Sequence, residues 1–286
     1  MSAVAVERRP AGRNVLAATW AFVRRHVLTV YSILFFAYLL LPIGVVVVFS
    51  FNHPTGKFNY TWQGFTWDNW RYWNGVPGIQ SAIMLSLEIA LIASLIATAL
   101  GTMIALALVR YGFRGRGSTN ILIFLPLSTP EIVLGASLLT LFLNMTWIRV
   151  QFGFWTILIA HIMFCISFAV VTVKARLVGF DRHLEEAAMD LGANEWTTFR
   201  KVTLPLIAPA ILAALLLCFA ISIDDFVVTY FNSGSRVTFP LFVWGAARIG
   251  APPQVNVIGT AIFVIAVAAM LINVLVQMQR EKRGAA

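Results

Sequence analysis

Along this chain six long apolar runs, each near the ~20 residues that a bilayer core requires, are separated by shorter polar stretches. The runs are Val27 to Ser50, Ala82 to Val109, Ile121 to Leu143, Phe154 to Val173, Leu206 to Ser222 and Val257 to Met278. They predict an all-α, polytopic membrane protein with six transmembrane helices. The expected layout is an amino-terminal tail over 1–26, a membrane domain over 27–279 and a carboxyl tail over 280–286. The first run is too long for a signal-peptide core, and no small-residue cleavage site convincingly follows it, so it reads as a retained anchor. No internal repeat, low-complexity tract or separate soluble domain is visible.

The polar stretches differ in kind. Between the fourth and fifth runs lies Glu185 to Pro205, EEAAMDLGANEWTTFRKVTLP, a helix-prone segment. Ala187 and Ala188 give it a small, close-packing face, Gly192 permits a sharp turn, and Pro205 opens the next apolar helix. The spacing predicts two short helices at an angle. The first covers His183 to Leu191 with Asp181 as its cap; the second is capped by Asn194 and carries Trp196, Phe199 and Val202 as an apolar ridge. The first outer loop, Phe51 to Gly78, contains FTWDNWRYW, where Trp67, Trp70 and Trp73 at three-residue spacing predict a short interfacial helix. The third run is interrupted by Pro126 and Pro130 in LPLSTPEIVLG, with Gly135 following. Broken backbone at membrane depth needs cover from protein or a watery cavity, which places this stretch near a pore; an ordinary proline kink is the other reading.

Composition narrows the class. With 59% hydrophobic and 12% charged residues the chain is set apart from water-soluble folds, which devote roughly a quarter of their residues to charge. The net charge of +9 raises the question of a nucleic-acid partner, and its distribution answers it. Sixteen of the basic residues fall on one side of the predicted spans: Arg8, Arg9, Arg13, Arg24 and Arg25; Arg110, Arg114 and Arg116; Lys174, Arg176, Arg182, Arg200 and Lys201; and Arg280, Lys282 and Arg283. The opposite loops hold Lys57, Arg71, Arg149, Arg236 and Arg248. By the positive-inside rule both termini and the segment over about 174–205 are cytoplasmic, and the charge is explained without nucleic acid.

Few residues suggest chemistry of their own. The phosphate-binding pattern GxxxxGK[ST] is absent, since the Gly56-Lys57 pair is followed by Phe58, so no nucleotide site and no hydrolase activity are expected. No metal cluster or nucleophile triad is visible, and no cofactor is expected on this chain. Cys165 and Cys218 fall inside spans, where cysteine acts as a small apolar packing residue. His161 lies alone in the fourth span, as a buried structural histidine or a pore-lining one. The acids Glu88, Glu131, Asp224 and Asp225 lie within or beside spans that hold no Lys or Arg. A charge at mid-membrane costs about 2.5 to 3.5 kcal/mol on insertion scales, so each needs a partner, protonation, a helix N-terminus or a passing cation. A cationic substrate accounts for the sign of all four. Ser222 precedes the Asp pair, and Tyr230 and Phe231 follow it closely enough to offer aromatic faces to an ammonium group. Glu88 bonding a neighbouring helix, and the Asp pair in the outer headgroup zone, are the structural alternatives.

The pattern Glu186-Ala187-Ala188, three residues, Gly192, then Leu204-Pro205 resembles the cytoplasmic coupling loop of permease subunits in ATP-binding-cassette importers. STPEIVLGASLL around Glu131, RYGFRGRG after the second span, GFW and FAVVTVKARLVGFD around the fourth, and SIDDFVV in the fifth are similar to the second permease of the spermidine/putrescine importers. The likeness runs from about Ser81 to Val276, with Glu131 where Asp is commoner. The resemblance implies a type I importer permease fold in a bacterial inner membrane. It also implies a second permease, two ATP-binding subunits holding ATP and Mg, a periplasmic binding protein and a polyamine cargo. On it, Glu185, Glu186, Ala187, Ala188, Gly192, Trp196, Phe199, Leu204 and Pro205 are expected to couple to the ATPase. Glu131, Asp224, Asp225, Ser222, Tyr230, Phe231 and Glu88 are expected along the substrate path. The Trp-rich outer loop then serves as an aromatic belt or touches the delivery protein. Other cargoes, such as ferric ion, sulfate or an amino acid, and a secondary transporter without an ATPase are the alternatives.

Overall fold

The computed structural model describes residues 15–145 and 150–284. Arg8, Arg9, Arg13 and Arg149, and the side chains of Arg24, Arg280, Lys282 and Arg283, lie outside the described residues. The described chain is helical, with a single isolated bridge between Asn52 and Phe65 and no strand. It divides into two compact units, one of residues 1–73 with 252–286 and one of residues 74–251.

In the first unit α1 (Val15–Phe49) packs against α12 (Pro253–Gly284). The apolar stretch of α1 from Arg25 to Phe49 has none of its most apolar window buried, as suits a helix whose surroundings are lipid or other protein. The loop after α1 is folded around a buried asparagine. Asn52 donates to Asn59 Oδ1 at 2.6 Å and to the Thr61 carbonyl at 2.7 Å, while its own Oδ1 accepts from Gln63 N–H at 2.7 Å. Asn69 donates to the carbonyls of Ser50 and Asn52 at 3.0 and 2.7 Å. The interfacial helix expected there is only the single turn α2 (Asp68–Arg71), so Trp67, Trp70 and Trp73 do not share a helix face. Trp67 and Trp70 instead pack edge-on and stacked on Phe51, at 4.9 and 5.5 Å between ring centres. Ring packing and asparagine bonds outweigh helix propensity in so short a segment.

The second unit is built on α3 (Ile79–Arg110), α6 (Phe154–Val178) and α9 (Leu204–Asp224), which pack on one another. On α3 a small residue recurs every fourth position, Ala93, Ala97, Gly101 and Ala105, and all four are buried. Small residues at this spacing let helix backbones approach closely where lipid offers no hydrophobic drive to association. The approach is tight at Gly101, where a Cβ would stand 2.5 Å from that of Ala169. Cys165 and Cys218 are buried and free in the same seam, each thiol pointing at the other residue's carbonyl at 3.6 and 3.4 Å.

The third predicted span is two helices, α4 (Arg116–Ser128) and α5 (Glu131–Asn144), bent by 109° at Thr129-Pro130. Pro130 forces the preceding residue into extended backbone and lacks the N–H that would continue the ladder, which is why Thr129 has ψ 132°. With this pair counted as one crossing, the described residues give five candidate spans. The sixth expected span lies within α12, whose described apolar part is Pro253–Ala268.

Candidate functional site

The loop between the fourth and fifth expected spans begins where α6 (Phe154–Val178) ends. Asp181 Oδ1 accepts from the His183 backbone N–H at 3.0 Å and meets His183 Nδ1 at 2.7 Å. That bond holds the Asp181 carboxyl below its usual range and raises the His183 imidazole above its own, with Glu186 adding to the latter. The helix so started, α7 (His183–Asp190), ends as the Gly192 N–H bonds the Met189 carbonyl and the Ala193 N–H bonds that of Ala188. Gly192 takes φ +89°, the left-handed value that closes such an end and that a side chain disfavours.

Asn194 then caps α8 (Glu195–Thr198), its Oδ1 accepting from Thr197 N–H at 2.8 Å. The second coupling helix is not a separate short piece, however. It passes through a π-helical turn, Phe199–Thr203, directly into α9, so that Glu195–Asp224 is one helical run of 30 residues. The wide turn suits Pro205 near the start of α9, whose ring would crowd the carbonyl four residues back in a regular helix.

Within this loop the expected coupling residues divide into two groups. Glu185 turns inward: its carboxylate takes both terminal nitrogens of Arg110 at the end of α3, and it accepts from the hydroxyl of Thr203 in the π turn. Both members of the ion pair keep 15% side-chain exposure, and the Arg110 guanidinium also lies 5.2 Å over the Phe180 ring. Arg110, Glu185 and Thr203 border a cavity of about 470 Å³ with Met103, Met189 and Glu195. Glu186 and Ala187 face outward, Ala188 is half-buried, and Leu204 and Pro205 are exposed at the start of α9. Trp196 is 67% exposed and stacks on Phe199 at 5.9 Å, so the ridge is an aromatic pair with Val202 half-buried behind it. Leu191, 90% exposed, adds to the same unpartnered apolar surface.

The acidic residues also differ among themselves. Asp225 is enclosed, with 5% of its side chain exposed. It caps α10 (Val227–Asn232) by accepting from the N–H groups of Val228 and Thr229 at 3.3 and 2.8 Å, and from the Thr229 hydroxyl at 2.8 Å. His161 Nε2 stands 3.3 Å from this carboxylate and 2.8 Å from the Thr229 hydroxyl, while its Nδ1 meets the Ser222 hydroxyl at 2.7 Å. One proton on Nε2, with Nδ1 accepting from Ser222, satisfies every member of this set. His161 therefore ties α6 to α9 and α10, and Ser222 and Asp225 are spent on that bond network. Asp224 is exposed, as are Glu131 at the start of α5 and Glu88 on α3, and none of the three has an ion pair among the described residues. Phe231 packs on α5 at Gly135, where a Cβ would stand 2.8 Å from the ring, and Tyr230 is 57% exposed.

The residues that sequence reasoning missed are Arg110, taken only as a basic charge and as part of RYGFRGRG, Thr203, and Trp244, whose ring lies 5.2 Å from that of Phe226. Arg110 and Glu185 are 75 positions apart, and no local pattern signals such a bond.

Membrane-spanning helices, a proline-broken pair with a bare carboxylate at the break, and a protruding loop with unpartnered apolar surface define a membrane permease subunit. Residues 97–280 match the family described as binding-protein-dependent transport system inner membrane component, and the chain belongs to that family. It is 41% identical to the spermidine/putrescine transport system permease protein PotC of Haemophilus influenzae over 84% of this chain and 92% of that one. It is 38% identical to the putrescine transport system permease protein PotI of Escherichia coli over 79% of this chain and 82% of that one. Among solved structures it resembles a bacterial ABC transporter involved in import of the acidic polysaccharide alginate, with TM-score 0.66 and 17% identity over 92% of this chain and 99% of that one. The fold is that of a type I ABC importer permease, and the chain is a multi-pass transport subunit of the inner membrane.

Proposed function

We propose that this chain forms one half of the path by which a polyamine such as putrescine or spermidine enters the cell, driven by a separate ATPase. The observation that carries the cargo is Glu131, an exposed carboxylate without an ion pair, held at the break of a membrane-embedded helix pair. Asp224 repeats that condition at the end of α9. Bare carboxylates at such depth favour a cation in passage and oppose an anion such as sulfate. The relatives named for spermidine and putrescine carry the same conclusion from sequence.

The partners follow from the class: a second permease, two ATP-binding subunits with ATP and Mg, and a periplasmic binding protein. Both termini and the loop over about 174–205 face the cytoplasm, within a membrane domain over 27–279. Glu186, Ala187, Leu191 and Trp196 supply the outward surface that a groove on the ATPase would cover. Glu185 stands behind that surface and transmits its movement.

Uptake of labelled putrescine and spermidine by the reconstituted complex tests the cargo. Glu131→Gln and Asp224→Asn are expected to lower uptake while the complex still assembles. Unchanged uptake in both variants refutes a path role for the acids and the substrate inference with it.

A further inference from the structure

In the second unit a row of aromatic rings runs from α11 through α10 to α5. Phe226, two residues beyond Asp224, stands 5.2 Å from the Trp244 ring of α11 (Phe239–Ile249) and 5.6 Å from Tyr230. Tyr230 meets Phe231 edge-on at 5.8 Å. Phe231 in turn lies on Gly135, one helical turn after Glu131 and on the same face of α5. Trp244 and Tyr230 leave 45% and 57% of their surface open. The far end of the row is already occupied by a cation: the Arg248 guanidinium sits 4.5 Å over the Trp244 ring. Among the described residues Arg248 has no ion pair, so the ring face is its shown partner.

We propose that Trp244, Phe226, Tyr230 and Phe231 form a track for the ammonium groups of the cargo, running from Arg248 toward the α5 face that carries Glu131. Arg248 is the resident cation, holding the first ring until a substrate ammonium displaces it. The proposal rests on the polyamine reading and deepens it by naming the residues that the substrate touches. Aromatic faces attract ammonium groups, and their apolar bodies suit the methylene spacers between those groups. A row of rings therefore accepts successive positions of one flexible diamine or triamine, while Asp224, two residues before Phe226, and Glu131, one turn before Gly135, supply the opposite charge.

The test uses the complete complex in proteoliposomes, with uptake of putrescine and spermidine and ATP hydrolysis measured together. Trp244→Leu is expected to lower uptake about tenfold at retained ATP hydrolysis, since a half-open cation–π contact lies between the roughly fivefold of an exposed one and the roughly thirtyfold of a desolvated one. Trp244→Phe, which keeps a ring, is expected to restore most of it. Arg248→Gln is expected to raise the amount of amine imported per ATP. Wild-type uptake of polyamine with unchanged uptake in Trp244→Leu overturns the track alone, as does equal loss in the Leu and Phe variants, which marks Trp244 as packing. Lower import per ATP in Arg248→Gln overturns the resident-cation role. A wild-type complex that imports no polyamine overturns the substrate reading, and the track falls with it.

Discussion

Removing the Glu185 carboxylate while keeping its shape, as Glu185→Gln does, should release the coupling loop from the end of α3. The wild-type carboxylate accepts two bonds from Arg110 and one from Thr203, with 15% exposure on each side of the ion pair. Breaking a buried pair from one side costs about 3 to 5 kcal/mol, and the residual exposure here argues for the lower end, about 3 kcal/mol. That shifts any equilibrium between tied and released loop by roughly a hundredfold. Because Trp196 and the outward face of α7 are untouched, the ATPase should still copurify. Its hydrolysis should then run without matching import, so that ATP consumed per substrate rises severalfold. Arg110→Gln should behave alike, and the exchange Arg110→Glu with Glu185→Arg should recover part of the coupling. The reasoning is refuted if either single variant retains wild-type ATP consumption per substrate and wild-type thermal stability.

Four further outcomes are expected. His161→Leu strands Ser222, Thr229 and Asp225 in a buried site and should cost about 3 kcal/mol, read as a lower Tm of the purified complex, with His161→Gln losing less. Gly101→Val should cost about 1 to 3 kcal/mol by overpacking against Ala169, and Ala169→Gly should return part of the lost Tm. Gly192→Ala meets no neighbouring atom yet forces a left-handed alanine, costing about 1 to 2 kcal/mol in the loop; weaker ATPase copurification is the readout. The Asp181–His183 bond gives the loop a pH window: the raised imidazole contributes below its ordinary 6.5 and is lost as pH climbs through the raised value, while the lowered carboxyl contributes above 3.8 and is lost as pH falls through the lowered one. The protection of the amides at the start of α7, taken relative to the intrinsic exchange rate at each pH, should therefore fall on the alkaline side, and His183→Asn should abolish that fall.

Local pattern was enough wherever one segment decides its own structure. Apolar run length placed the spans, Asn194 announced its cap, Gly192 its turn and Pro130 its break, because each acts through backbone bonds a few residues away. The tryptophans of the outer loop misled for the converse reason: a three-residue spacing describes a helix only when nothing stronger organises the chain, and Asn52 and Phe51 do. The sequence set Glu131 apart by its prolines but could not divide Asp224 from Asp225, of which the second is closed off by His161, 64 positions earlier. Pairings of that range, like that of Arg110 with Glu185, are products of how α3, α6 and α9 pack. The small residues of α3, Ala93, Ala97, Gly101 and Ala105, gain their meaning only from α6, which lies against Gly101.

The unbroken run from Glu195 to Asp224 also has a mechanical meaning. At about 1.5 Å per residue it is a rod roughly 45 Å long, with Trp196 near one end and the bare Asp224 at the other. Thr203, bonded to Glu185, stands about a quarter of the way along, where a fulcrum would lie. A first-class lever with such arms magnifies a push at the short end about threefold, so a tilt of about 10° carries the long end through some 5 Å. On the coupling role proposed for Trp196, a push of about 2 Å there would move the Asp224 end of the rod by about 5 Å.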